Sequence, residues 1–245
     1  ITGETDGEPS KVGVAIADIV TGLYALNAIL AALFHRERTG EGQFIDIALL
    51  DAQVSWLANV AMNYLISGEP PKRYGNAHPN VVPYQTFATA DGHLALGVGN
   101  DAQFQRLYEQ IGLPELAHDP RFHNNASRVQ NRDILIAQLQ KIFLQRTAAE
   151  WVEQLAAAGI PAGPINNVAE ILADPQIVAR EMVVEIIHAS GAPLKLLGPV
   201  PKFSATPARV QSPPPLLGQH TEEVLKELLK MRSSEITQLR QQGAI

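Results

Sequence analysis

Cysteine is absent from the 245 residues. Disulfides, thiolate nucleophiles and cysteine-based zinc sites are therefore excluded, and cysteine usage carries no information on redox compartment. The histidines, His35, His78, His93, His118, His123, His188 and His220, never fall at an H-x-x-x-H or other helix-face ligand spacing, so no metal site is expected. No Gly-x-Ser-x-Gly elbow occurs, and spacing assembles no Ser/His/Asp set. Gly97-Val-Gly-Asn100 lacks the third glycine of a dinucleotide loop and the Gly-Lys-Ser/Thr of a phosphate loop, and reads as a strand-end turn. Positive charge is also in deficit. Lys and Arg number 19 against 25 Asp and Glu, a formal charge of −6. No basic surface dominates, which argues against a nucleic-acid partner but leaves a small anionic ligand open. The most apolar run, Ala25 to Phe34, is interrupted by Asn27, followed by His35-Arg-Glu-Arg, and too short to span a bilayer; no membrane partner is expected.

What remains is ordinary globular composition, 46% hydrophobic and 18% charged, in a chain long enough for one large domain or two smaller ones. The first residues, Ile1 to Gly13, are a Gly/Pro/acid loop without an initial Met. They read like the middle of a protein, so the chain is expected to be a piece of a longer one. From Val14, apolar residues recur at helical spacing through Leu33, with alanine in the gaps, and predict a helix over 14–36 that is apolar nearly all round and buried. Phe44 to Ala48 alternates and predicts a short strand; Leu49 to Ile66 predicts a second apolar helix. Residues 68–82 form a polar, mobile loop with Arg73, Tyr74, Gly75, Asn76 and His78.

Strands are predicted at 84–89 and 93–98 around Ala90-Asp-Gly92, an Asp-Gly hairpin signal. A helix follows near Asp101, capped by Asn100 or Asp101, then an irregular stretch over 112–124 and a longer helix over 127–145. Thr147-Ala-Ala-Glu150 and Asn167-Val-Ala-Glu170 are capping patterns, and Gly159 closes the first of these helices. Met182–His188 and Leu194–Leu197 form a hairpin around Ser190-Gly191. A Pro-rich connector over 198–215 leads to two short helices headed by Thr221 and by Ser233 or Ser234. Trp56 and Trp151 are core or interface aromatics.

One carboxylate stands out. In Lys11-Val-Gly-Val-Ala-Ile-Ala-Asp18-Ile-Val-Thr-Gly22, Asp18 sits among apolar and very small side chains. A nucleophilic carboxylate must be ionised, incompletely solvated and reachable by an acyl carbon. Gly13, Ala15, Ala17 and Gly22 leave that space, and free amide groups of a first helical turn would stabilise the charge. An N-cap or first-turn aspartate needs the same features, and spacing does not separate the two readings.

The residues resemble the class III (CaiB/BaiF) CoA-transferases. The likeness lies in Gly7-Glu-Pro-Ser-Lys-Val-Gly13, Asp18-Ile-Val-Thr-Gly22, Arg38-Thr-Gly-Glu-Gly-Gln43, Ile45-Asp-Ile-Ala-Leu-Leu-Asp51, Val98-Gly-Asn-Asp-Ala-Gln-Phe104, Gly163-Pro-Ile-Asn-Asn167 and Pro213-Pro-Pro-Leu-Leu-Gly-Gln-His220. It covers essentially the whole chain. Gly75-Asn-Ala-His78 and Val81-Val-Pro-Tyr-Gln-Thr-Phe87 are most similar to succinate–hydroxymethylglutarate CoA-transferase-like members.

The resemblance implies an α/β fold: part of a Rossmann-like large domain (1–70), a small α+β domain (71–190) and a C-terminal return to the large domain (191–245), in an interlaced homodimer. It implies an N-terminal segment before Ile1 that supplies much of the CoA site, so the CoA-binding residues are unknown here and helix 14–36 would expose apolar area meant for absent partners. Asp18 falls on the family's catalytic aspartate, which exchanges CoA between an acyl-CoA and a carboxylic acid, dicarboxylic acids included, through aspartyl anhydride and aspartyl-CoA. Coenzyme A and acyl-CoA are substrates; no permanent cofactor and no metal are implied. Some members close a glycine-rich loop over the intermediates. The corresponding Tyr74-Gly-Asn-Ala-His-Pro79 holds a single glycine, leaving Tyr74, Gly75, Asn76 and His78 as substrate-loop candidates. Alternatives are an acyl-CoA racemase or epimerase of the same superfamily, which would carry a Glu near Asp101, and an inactive dimerising fragment. A cytoplasmic location is expected, with an organelle signal left open.

Overall fold

The structure, a computed structural model, describes residues 1–245, the side chain of Ala117 excepted. It comprises two compact units, Ile1–Ile165 and Asn166–Ile245.

The first unit opens with a helix, α1 (Ile16–Thr39), ended by Gly40 in the left-handed region at φ 79°, whose N–H donates to the Arg36 carbonyl. The sequence predicts this helix as buried, but Val20 is its one buried residue, while Leu30 is 56% and Phe34 63% exposed. Its packing partner is α2 (Leu49–Ser55), with Tyr24 Oη and Ser55 Oγ 2.9 Å apart, and its remaining apolar faces are uncovered. The Ala25–Phe34 run is too short to span a bilayer, but it lies in a longer helix whose most apolar 18-residue window has a mean hydropathy of 1.8, enough by length and composition alone to cross a membrane.

Phe44–Ala48 forms no strand; it pairs with nothing, and Phe44 is 92% exposed. Alternation alone does not make a strand without an edge to join. The predicted helix over 49–66 is two helices, α2 and α3 (Ala58–Ser67). Trp56 and Leu57 donate to Gln53 and Val54 carbonyls three residues back, tightening the end of α2, and Ala58 turns the chain at φ 45°. Trp56, expected in a core or interface, is 52% exposed.

The core of the unit lies between Val82 and Ile160. Strands β1 (Tyr84–Ala88), β2 (His93–Gly97) and β3 (Ala162–Pro164) form an antiparallel sheet in that order, with Thr86 opposite Ala95 and Ala95 opposite Gly163. Leu94, Leu96 and Val98 alternate onto one buried face. Helix α4 (Asp101–Gln110) buries Phe104, Leu107 and Tyr108 at i, i+3, i+4 spacing. A 3₁₀ turn over Pro114–His118 occupies part of the stretch expected as irregular.

The predicted helix over 127–145 is also divided, into α5 (Asn125–Gln130) and α6 (Arg132–Phe143). At the break, Asn131 Nδ2 donates to the Ser127 and Arg121 carbonyls, drawing the backbone out of helical register. Leu135, Leu139 and Phe143 on α6 face the core. So do Trp151 and Leu155 on α7 (Ala148–Ala157), whose capping box joins Thr147 and Glu150 and which Gly159 follows at φ 67°.

The second unit holds α8 (Val168–Ala173), opened by the Asn167–Glu170 capping box, and α9 (Pro175–Ala179). The hairpin of β4 (Val183–Ile187) and β5 (Pro193–Leu197) turns at Gly191, φ 84°. Helices α10 (Thr221–Glu227) and α11 (Ser233–Gln241) complete it; Arg232, not a serine, occupies the cap of α11, with its N–H bound by Glu235. Every strand pair in the described residues is antiparallel, so the fold seen is mixed helix and sheet without the parallel layer of a Rossmann-like domain.

Candidate functional site

Asp18 stands in the first turn of α1, two residues after Ile16, and is exposed. The cap residue is Ala15, which offers no side-chain bond, so Asp18 is not the N-cap; it is the first-turn aspartate of the other structural reading. Among the described residues the Asp18 carboxylate accepts no hydrogen bond and forms no ion pair. Ile16 N–H is taken by the Val14 carbonyl and Ile19 N–H by Ala15, which leaves the Ala17 and Asp18 amides of the first turn without a backbone acceptor. An anion arriving beside Asp18 would meet those amides.

The substrate-loop candidates are held by several hydrogen bonds to neighbouring segments. Gly75 N–H donates to Gly3 O at 3.2 Å, and Arg73 Nε donates to Glu4 O at 3.1 Å. Asn76 Oδ1 accepts from Thr86 N–H at 3.1 Å. His78 N–H donates to Tyr84 O at 2.9 Å, and the two rings lie 5.5 Å apart. Gly75 sits at φ 59°, where an L residue is strained, and an added Cβ would touch the Glu4 carboxylate. Tyr74, Gly75 and Asn76 line a cavity of about 870 Å³ with Lys72, Gln85 and Arg132. Asp18 and His78 do not line it, so the structure does not bring Asp18 and the loop into that one cavity. No group of three or more His, Asp or Glu able to hold a metal occurs among the described residues.

A profile of CoA-transferase family III matches residues 1–221. The chain belongs to that family. Among family III relatives, succinyl-CoA:glutarate CoA-transferase of Mus musculus is 42% identical across the whole chain, and succinate–glutarate CoA-transferase of Agrobacterium fabrum is 46% identical over 93% of it. The chain spans 56% and 57% of those two proteins. A solved structure of a CAIB/BAIF family protein from Brucella suis is 48% identical, with a TM-score of 0.73 over 93% of this chain and 59% of that one.

Asp101, the position where a family III racemase reading would want a Glu, is engaged elsewhere. Its Oδ1 lies 2.8 Å from Nη2 of Arg128, whose side chain is fully buried. Arg128 also donates from Nε to Val82 O at 2.7 Å and from Nη1 to Phe122 O at 3.1 Å, and its guanidinium lies 4.3 Å from the Phe104 ring centroid. Arg128 and Arg132 escaped sequence reasoning. An arginine in a polar stretch such as Ser127-Arg-Val-Gln-Asn-Arg132 looks solvated until the fold buries it.

Proposed function

We propose that Asp18 is the nucleophile of a CoA-transferase that moves CoA between an acyl-CoA thioester and a free dicarboxylic acid. The supporting observation is a reachable, unpaired carboxylate in a helical first turn, at the position where the family resemblance puts the catalytic aspartate; the partial desolvation a nucleophile needs would come from whatever covers α1 in the complete protein. An Asp18 oxygen attacks the thioester carbonyl and CoA thiolate leaves, giving a mixed anhydride. The thiolate attacks the Asp18 carbonyl carbon and expels the donor acid, leaving aspartyl-CoA. The acceptor carboxylate then attacks that thioester, releasing the thiolate, which attacks the acceptor acyl carbon and restores the Asp18 carboxylate. An anhydride is as activated as the thioester it replaces, so neither half-reaction is a deep trap. Free first-turn amides can bind the developing oxyanions.

The relatives' names point to succinate and glutarate as the first acids to try. A homodimer that covers α1, the Rossmann-like large domain, the division 1–70, 71–190 and 191–245, and a cytoplasmic location all belong to this reading. The test is peptide mass analysis after incubation with succinyl-CoA and glutarate, on this chain alone and on the chain completed with the N-terminal segment that the family resemblance implies. The expected result is a CoA adduct on the Asp18 peptide, removed by hydroxylamine and absent from Asp18→Asn. Transfer by Asp18→Asn, or transfer without any adduct, refutes it.

A further inference from the structure

The segment carrying Tyr74, Gly75, Asn76 and His78 is anchored from α5 and α6. Arg132 makes the broadest contact. Its Nη2 donates to the carbonyl oxygens of His78 and Pro79, both at 2.8 Å, and its guanidinium lies 5.4 Å from the Tyr74 ring centroid. Asn125 continues the series: Nδ2 donates to Asn80 O at 2.8 Å and Oδ1 accepts from Val82 N–H at 3.1 Å. His78 Nδ1 accepts from Asn80 N–H at 3.0 Å. In neutral His78 the ring proton is therefore assigned to Nε2. Among the described residues His78 Nε2 and Asn76 Nδ2 make no hydrogen bond, so both remain free donors.

Arg132 is a costly anchor. It forms no ion pair among the described residues, Nη1 is buried without a partner, and burial lowers its pKa from the usual arginine value. A desolvated, unpaired guanidinium is unfavourable. Its planar fork, however, is suited to gripping two successive carbonyls in fixed geometry, which a lysine ammonium does poorly.

We propose that Arg132 is a positioning residue for CoA transfer, holding residues 74–80 as a preformed wall whose His78 and Asn76 donors receive the free carboxylate of the acid substrate. The segment is thus part of the rigid site and does not close as a lid. This rests on the transfer reading above.

Kinetics of the completed protein and hydrogen exchange of this chain test it together. Arg132→Gln should raise KM for glutarate about tenfold or more and slow Asp18 labelling by succinyl-CoA, whose own free carboxylate meets the same donors, while kcat at saturating substrates stays within about threefold of wild type. Arg132→Lys should recover only part of the loss. His78→Ala should raise the same KM, and the double variant should be no more than about twofold worse than Arg132→Gln, because both act through one contact. In exchange, amides of residues 76–82 should lose about tenfold or more of their protection in Arg132→Gln, with the β4–β5 hairpin unchanged. An unchanged KM, additive losses, or unchanged exchange each overturn the proposal. A wild-type protein with a protected loop but no Asp18 adduct overturns the transfer reading itself, and the positioning role falls with it.

Discussion

Replacing Arg128 by Met tests whether a buried cation anchors the first unit. The side chain is fully buried and satisfies the Val82 and Phe122 carbonyls, while its partner Asp101 keeps 54% of its side chain exposed. Methionine refills most of the volume and relieves the desolvation of the guanidinium. It leaves two buried carbonyls without donors, at about 1–3 kcal/mol each, and removes a cation–π contact worth roughly 1 kcal/mol. The freed Asp101, already half in water, adds little to the loss, so the balance lies between the orphaned carbonyls with the cation–π contact and the recovered guanidinium solvation. The net loss should be about 2–4 kcal/mol. With a urea slope of about 2 kcal/mol/M, the unfolding midpoint should fall by about 1–2 M. Fluorescence of Trp151, buried with its Nε1 donating to Phe143 O at 2.9 Å, reports this unit; a Trp56→Phe background removes the exposed second tryptophan. Asp101→Asn keeps an acceptor beside the guanidinium and should shift the midpoint by less than about 0.5 M. A shift for Arg128→Met below about 0.3 M would refute the view that the carbonyls depend on Arg128.

Asp18→Asn should leave the melting temperature unchanged, since the carboxylate has no partner, while lowering transfer by roughly 10³-fold or more in the completed protein. Asp91 receives the Ala148 N–H at 2.8 Å and the Thr89 hydroxyl at 3.0 Å, and these bonds, the backbone one foremost, hold its carboxyl below the ordinary 3.8. A depressed folded pKa gives stability that is present above the unfolded value and lost as pH falls through the folded one. Melting curves should therefore drop less steeply below about pH 4 for Asp91→Asn than for wild type. Gly198→Ala would drive a Cβ into the Glu181 carbonyl oxygen, so the Gly198 N–H bond to Met182 O should lose exchange protection together with the β4–β5 ladder. The exposed stripe of Ile19, Leu23, Leu26 and Leu30 should make the isolated chain self-associate; replacing Leu23 and Leu30 by Glu should lower its sedimentation-derived mass, and an unchanged mass would show that α1 is not the adhesive surface.

Local chemistry was legible from residues alone wherever one short segment contains all the atoms involved. The capping boxes at Thr147–Glu150 and Asn167–Glu170, the left-handed glycines Gly159 and Gly191, and the Asp-Gly hairpin all fall where sequence reasoning puts them. So does Asn100 as the cap of α4, accepting from Gln103 N–H at 2.9 Å. Family membership was equally legible, because ordered motifs along the whole chain carry it.

The sequence by itself thus determined the capping boxes, the hairpin turns and the cap of α4, all set by neighbours within a few residues, and the family, carried by motifs along the whole chain, whose resemblance singles out Asp18 as the candidate nucleophile. Tertiary structure alone decided the rest. It split two predicted helices at Trp56–Leu57 and Asn131 and denied Phe44–Ala48 a partner. It buried Arg128 and brought Arg132, Asn125 and Thr86 into hydrogen bonds with the 74–82 segment. Those outcomes depend on bonds such as Arg132 to His78, 54 residues apart in the chain, and a solvated and a buried arginine are spelled alike.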